Sequence, residues 1–162
     1  MTGVIFLPGI LASAGVQHRP VLDRLPGVNA LLKDLKIFAA GMPAPGYCVD
    51  DEIREIGTAA DQAGPGQFQL YRDSAGAAYA LACAATRPQR VLSLALDEPA
   101  TDFTPTGLAD PARQQMDAPA ALPAPESVAA FMRRVVAPGV TPPTPPGGSG
   151  ARVASRLRGH FT

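Results

Sequence analysis

The sequence predicts an α/β protein in which helices flank a parallel sheet of about four strands. Short apolar runs alternate with longer segments of helical periodicity, and this order is typical of parallel βαβ units. The length of 162 residues and a hydrophobic content of 46% fit one modest domain. With 16 Gly, 18 Pro and only 17% charged residues, against roughly one quarter in an average protein, part of the chain is expected to lie outside a packed core.

Four apolar runs are the predicted strands. They cover residues 4–7, 35–39, 68–71 and 91–96, and Gly or Pro closes or precedes most of them. The first stops at Pro8 and Gly9, as expected for a short strand that is buried on both faces. The last, Val91 to Leu96, is the most apolar. If it is unpaired at the sheet edge, it offers a template for association, and we expect a second copy, the segment 126–136 folding back or a missing C-terminal piece to cover it.

Three segments between these runs are predicted helices, at residues 17–25, 50–63 and 75–86. The first contains Pro20, which is tolerable only if it falls in the first helical turn. The second has a stripe of Ile and Ala, and three acidic residues at its start match the helix dipole. The third is rich in alanine and stops before Pro88. A short helical stretch is also expected at 126–136.

The C-terminal tail differs in composition from the rest of the chain. Nine of the fourteen residues in 137–150 are Pro or Gly, which is typical of a linker or a disordered segment. Residues 1–126 have nine basic and fourteen acidic side chains, whereas residues 127–162 have five Arg and no acid. We expect that residues 137–162 do not encode a folded domain and arose by truncation or a shifted reading frame.

Several functional classes are not expected. Cys48 and Cys83 form no C-x-x-C motif and have no histidine at ligand spacing, so we predict reduced thiols and neither metal nor cofactor. The arginines of the tail are sparse and lack interleaved aromatics, which argues against nucleic-acid binding. No run approaches the ~18 apolar residues of a membrane-spanning helix. The N-terminal apolar run lacks a preceding positive charge and ends at Pro8, so a cytoplasmic protein is expected.

One segment has chemical content, and it is centred on Ser74. A predicted strand runs through Tyr-Arg-Asp-Ser-Ala-Gly-Ala (71–77) directly into a helix. A serine on such a sharp turn projects its hydroxyl above the sheet, and small residues at Ala75 and Gly76 let strand and helix approach each other. The helix N-terminus then offers positive dipole and backbone N–H groups to a developing oxyanion.

These residues resemble the α/β-hydrolase superfamily over residues 3–103. The segment Leu-Pro-Gly-Ile (7–10) is similar to the family's oxyanion loop, and residues 82–98 are similar to its sequence of alanine-rich helix, Arg-Pro and apolar strand. The resemblance implies a partial α/β-hydrolase fold with strand order 4-3-5-6 in the family's numbering. It implies a core at 1–103, a partial cap at 104–136, Ser74 as nucleophile, and Ile10 and Ala75 as oxyanion donors.

The elbow departs from the family pattern G-x-S-x-G at its first position. Arg72 stands where the family has glycine, and we expect its long cationic side chain to need an exit from the crowded turn. Asp73 places a carboxylate beside the nucleophile. Departures of this kind are found in non-catalytic relatives.

The acid and base of a triad are less well marked. In the family order the base follows the serine, so His160 is a candidate, although the tail has nothing to hold it near Ser74. His18 precedes the serine and is expected at the surface or at a substrate edge. Asp97 and Asp102 follow the last predicted strand and are candidates for the acid, or else solvated loop residues.

Two functions remain open. The first is serine-dependent hydrolysis of an ester or related acyl bond in a small molecule, with base and acid supplied by another chain or by His160 and Asp97. The second is a catalytically inactive fragment or pseudoenzyme that binds a ligand or a partner. In the family the base comes after the final strand, and the segments that would hold it are missing from this sequence.

Overall fold

The fold is described by a computed structural model over residues 3–9, 12–36, 45–64 and 66–99, with residues 126, 129, 130, 133 and 139–141 in addition. Within residues 3–99 of this set the chain forms four strands and three helices. In chain order they are β1 (Gly3–Leu7), α1 (Ala14–Leu22), β2 (Ala30–Leu32), α2 (Val49–Ala63), β3 (Phe68–Asp73), α3 (Ser74–Thr86) and β4 (Val91–Asp97).

The four described strands form one parallel sheet in the order β2-β1-β3-β4. The pairs Val4↔Ala30 and Val4↔Gln69 set the register of β1 with its two neighbours. This arrangement confirms the predicted α/β fold and the predicted strand order. All carboxyl ends of the strands meet at one edge of the sheet, which is where parallel α/β sheets place their ligand sites.

The core lies between the central strands and helices α2 and α3. Ile5, Leu7 and Leu70 of the sheet are almost fully buried, as are Ile56 of α2 and Ala80 of α3. Burial of one such Ile or Leu side chain contributes about 1.5–3 kcal/mol. The strands β1 and β3, whose carboxyl ends meet at Ser74, are therefore anchored in this core.

The predicted second strand was misplaced. Strand β2 lies at Ala30–Leu32, ahead of the apolar run at 35–39, of which residues 37–39 lie outside the described residues. Pairing ends where the Lys33 N–H donates to the Phe6 carbonyl at 3.0 Å. Beyond it, Asp34 Oδ1 accepts from the Ala14 N–H at 2.6 Å, which ties the chain to α1. Leu35 is fully buried, so its apolar character serves the core from a loop.

The first helix begins earlier than predicted. Ser13 is its N-cap and accepts from the Val16 N–H through Oγ, so α1 starts at Ala14 rather than near residue 17. Pro20 consequently lies inside the helix and not in its first turn. Its ring nitrogen has no hydrogen to donate to the Val16 carbonyl, and the short helix ends two residues later.

The remaining elements match the predictions to within two residues. Strand β3 runs on to Asp73, and α3 begins at Ser74 without an intervening loop. Strand β4 is an edge strand of the described sheet, and its Leu92 side chain is 49% exposed. No helix in the described ranges is both long and apolar enough to cross a membrane.

The chain divides into two compact units, Met1–Thr101 and Asp102–Thr162, and all seven elements lie in the first. Residues 126, 129, 130 and 133 are helical, within the stretch predicted at 126–136. The predicted cap segment 104–136 and tail 137–162 otherwise lie outside the described residues. They stay predictions.

Candidate active site

Ser74 occupies the junction between β3 and α3. Asp73 ends the strand with extended backbone, and Ser74 begins the helix with a φ of 48°, in the left-handed region. A non-glycine residue in that region costs of order 1–3 kcal/mol, and such strain concentrates at functional positions. The strained turn is the one that a nucleophile elbow requires, since it raises the serine side chain above the carboxyl edge of the sheet.

The loop after β1 lies directly against this turn. A Cβ atom on Gly76 would come within 2.6 Å of the Pro8 carbonyl oxygen, so a side chain at this position cannot be accommodated without movement of the backbone. A Cβ atom on Gly9 would lie 3.4 Å from the Ser74 Cβ. Residues 7–10 were identified as the oxyanion loop by their resemblance. The part of this loop that the structure describes, up to Gly9, lies next to the serine.

The Ala75 N–H is one of the two predicted oxyanion donors. It lies in the first turn of α3, where backbone N–H groups have no partner within the helix and the helix dipole is positive. Ile10, the other predicted donor, lies outside the described residues. The Gly9 N–H beside it is already engaged, because it donates to Gln17 Oε1 at 3.0 Å.

Arg72 has no exit to solvent, and the expectation of one was wrong. Its side chain is 0% exposed. Its guanidinium nitrogens donate to the Leu7 carbonyl at 3.1 and 3.2 Å and to the Tyr71 carbonyl. The charged side chain can be buried because carbonyl groups at the ends of β1 and β3 accept hydrogen bonds from its guanidinium, although Nε has no partner. Burial lowers the pKa of Arg72 to about 10, and the nearby Asp73 carboxylate partly opposes the shift.

Asp73 places its carboxylate between the serine and α1. Oδ2 accepts a hydrogen bond from Gln17 Nε2, and Oδ1 is buried without a hydrogen-bond partner. The Gln17 carboxamide therefore contacts both Gly9 and Asp73, on the two segments that meet at Ser74. Nothing in the sequence singled out Gln17, because a lone glutamine on a short helix has no characteristic spacing.

His18 is buried, so its predicted place at the surface or at a substrate edge was wrong. The ring is 3% exposed, and Nε2 lies 3.0 Å from the Leu7 carbonyl oxygen. It packs against Phe6 and edge-on against Tyr71, with ring centroids 5.4 and 5.7 Å away. Its contacts are those of a core histidine.

The described residues do not assemble a triad. Asp97 ends β4 in register with Asp73 and is exposed, and no hydrogen bond joins it or any other described residue to the Ser74 hydroxyl. Asp102 and His160 lie outside the described residues. Within the described part of the chain, no group of three His, Cys, Asp or Glu side chains is placed to hold a metal ion.

No family model matches the chain, and no curated protein matches it. Solved structures do match. A hypothetical protein from Pseudomonas aeruginosa PAO1 is 28% identical, with a TM-score of 0.54, and the match covers 73% of this chain and 42% of that protein. The chain thus spans less than half the length of that protein.

Two further matches extend over nearly the whole chain. An epoxide hydrolase of the α/β-hydrolase superfamily, from metagenomes of hot environments, is 16% identical with a TM-score of 0.70, covering 99% of this chain and 62% of that one. An α/β-hydrolase from Sphaerobacter thermophilus is 23% identical with a TM-score of 0.60, covering 98% and 64%. Together with the strand order and the strained elbow, these matches show that the chain has the fold of the α/β-hydrolase superfamily.

Proposed function

We propose that this chain provides the nucleophile of a serine hydrolase that cleaves an ester or related acyl bond in a small molecule. The observation that supports it is the backbone of Ser74, whose φ of 48° lies at the β3–α3 junction beside the loop after β1. The strain does not stabilise the folded chain, so a serine that only began a helix would have no use for it. The same strain places the hydroxyl where a substrate can reach it.

The proposed reaction follows from that placement. Ser74 Oγ attacks the carbonyl carbon of the substrate, its proton passes to a base, and the carbonyl oxygen gains the negative charge. The Ala75 N–H, with that of Ile10 as the second donor, stabilises this oxyanion. The base gives this proton to the leaving oxygen, so an alcohol departs and an acyl group stays on Ser74; water, deprotonated by the same base, then attacks the acyl carbon, and the acid is released as the proton returns to Ser74.

The base and the acid are the open part of the proposal. His160 and Asp97 of this chain are one source, and residues of another chain are the other. Asp97 lies at the same sheet edge as Ser74, because it pairs in register with Asp73. Without a base, a serine hydroxyl is a weak nucleophile at neutral pH.

An inactive, ligand-binding protein is the second candidate. Arg72 favours it, since a buried guanidinium fills the position at which the elbow of active relatives has glycine. The Ser74 hydroxyl also has no hydrogen-bond partner among the described residues.

Covalent labelling with a fluorophosphonate distinguishes the two candidates. The probe should modify the folded wild-type chain, and Ser74→Ala should abolish the modification, as read by mass spectrometry of peptides. Ser93→Ala is the matched control, because Ser93 is exposed on β4 and donates only to Gln69. A folded wild-type protein that stays unlabelled would reject hydrolase activity for the isolated chain and favour the binding protein.

A further inference from the structure

The Gln17 side chain connects the two segments that meet at Ser74. Its Oε1 accepts from the Gly9 N–H at 3.0 Å, and its Nε2 donates to Asp73 Oδ2. Gly9 follows β1, and Asp73 is the last residue of β3. One carboxamide therefore fixes the loop after β1 relative to the turn that bears the serine.

This connection lies in contact distance of the nucleophile. A Cβ atom on Gly9 would be 3.3 Å from Asp73 Oδ2 and 3.4 Å from the Ser74 Cβ. A loop that close must be held to within a few tenths of an ångström, since loss of about 1 Å in the placement of an active-site group can cost about 100-fold in rate.

Helix α1 holds Gln17 firmly in place. The Gln17 N–H donates to the Ser13 carbonyl at 2.9 Å, and the Ser13 hydroxyl caps the same turn. The Ala14 N–H donates to Asp34 Oδ1 at 2.6 Å, which ties the start of the helix to the segment after β2. The carboxamide is thus presented from a backbone that hydrogen bonds tie to Ser13 and to Asp34.

The hydrogen bond from Gln17 to Asp73 also affects the negative charge of the carboxylate next to Ser74. The Asp73 carboxylate would oppose negative charge that develops on the substrate oxygen at Ser74. The Gln17 amide satisfies one carboxylate oxygen from the α1 side, and the Arg72 guanidinium attracts the carboxylate from within the core. Both interactions fix where that charge lies.

We propose that Gln17 is a positioning residue, which holds the Pro8–Gly9 loop and the Asp73 carboxylate in the arrangement that Ser74 needs to react. The effect on reactivity rests on the proposed function. The two hydrogen bonds of Gln17 do not depend on the proposed function, so the contact and its effect on reactivity can be tested separately.

The first test compares labelling rates of Ser74 by the fluorophosphonate. Gln17→Met removes both hydrogen bonds at nearly constant volume and should slow labelling at least about tenfold, the equivalent of one hydrogen bond. Gln17→Glu keeps an acceptor for Gly9 but sets a second carboxylate against Asp73. Its rate relative to the wild type should be low well above neutral pH and recover as the pH falls, once a proton shared by the two carboxylates replaces the amide hydrogen; because the carboxylates repel each other, this recovery should begin above the ordinary pKa of Glu.

Gln67→Glu is the matched control, because Gln67 is exposed before β3 and donates to the Gln89 carbonyl, away from the elbow. Its rate relative to the wild type should be near one at every pH. A merely structural role for Gln17 would slow labelling without the pH-dependent recovery of Gln17→Glu. Equal rates for wild type and Gln17→Met would overturn the proposal.

The second test needs no activity. Hydrogen exchange of the Gly9 amide, measured by NMR on the full chain, should be slow in the wild type and at least about tenfold faster in Gln17→Met, with exchange in β3 unchanged. Unaltered Gly9 exchange would overturn the contact itself. If the wild type shows slow Gly9 exchange and no labelling, the loop is held as proposed and only the hydrolase activity of the isolated chain fails.

Discussion

Ser74 is placed where stability and reactivity are opposed. Its left-handed φ costs the folded chain energy that glycine would not lose. We therefore expect Ser74→Gly to raise the free energy of unfolding by about 1 kcal/mol and to abolish labelling. Ser74→Ala should also abolish labelling but bring no gain, because alanine keeps the Cβ. Urea unfolding of the three proteins measures this, and equal stability of the Gly and Ala variants would argue against strain at the elbow.

Gly76 is required for a different reason, the close approach of two backbones. A methyl group there would meet the Pro8 carbonyl oxygen at 2.6 Å. Gly76→Ala should lower the free energy of unfolding by roughly 1–3 kcal/mol, as overpacking does, and slow labelling of Ser74. Gly15→Ala in α1 is the control, since no atom lies within 4 Å of its Cβ position and a helical alanine should be neutral or slightly stabilising. A neutral Gly76→Ala would contradict the observed contact.

Single residues also show where sequence reasoning reaches its limit at this site. The strand, the small residues and the helix start around Ser74 are local, so they could be predicted from ten consecutive positions. The burial of the Arg72 and His18 side chains could not be predicted in this way. Both depend on the Leu7 carbonyl, which lies in a segment distant in sequence, and no local pattern indicates that one carbonyl accepts from both side chains.

Helix α3 supplies the prediction that belongs to the scale of an element. Burial raises the pKa of Tyr79 to about 12, and Glu52 adds to the shift. Between pH 10 and 12 the unfolded chain has lost the phenolic proton that the folded chain retains. The folded state then binds more protons, so this tyrosine makes stability fall with rising pH by up to about 1.4 kcal/mol per pH unit.

Tyr79→Phe should remove that fall. Urea unfolding at pH 8 and at pH 11 measures it, and the quantity of interest is the difference between variant and wild type. The comparison with wild type is needed because Arg72, with a pKa lowered to about 10, makes stability rise with pH in the same range. This contribution is common to both proteins and cancels in the difference. Tyr71→Phe retains Tyr79 and should keep the wild-type fall. If the two variants respond alike, the Tyr79 phenol is not the group responsible.

The elements differ in how far sequence predicts them, and the reason is the range of the interactions that define them. Helix α2 has its own apolar stripe and N-terminal acids, so its bounds were predicted within one residue. Strand β2 has three residues and is defined by pairing with β1, while the stronger apolar signal at Leu35 belongs to a buried loop. The start of α1 is set by one capping residue, Ser13, and the pattern of apolar residues contains no information about it.

At the scale of the molecule, the edge of the sheet leads to the last prediction. Strand β4 is an edge strand of the described sheet, it contains no Lys, Arg or Pro, and its Leu92 side chain is 49% exposed. Such an edge favours pairing with another strand. We propose that a second copy of the chain pairs there, antiparallel, as a twofold dimer requires.

Sedimentation velocity over a range of concentrations measures this association. The wild-type chain should shift toward a dimer as its concentration rises, and Leu92→Lys should shift the equilibrium toward monomer by at least about tenfold, because a charge on an edge strand blocks pairing. Val16→Lys is the matched control, since Val16 is 65% exposed on α1, which has no strand edge to offer. It should leave the dimer intact. A wild type that stays monomeric, or an equal effect of both variants, would exclude β4 as the interface, and the proposed base would then have to come from this chain or from a different protein.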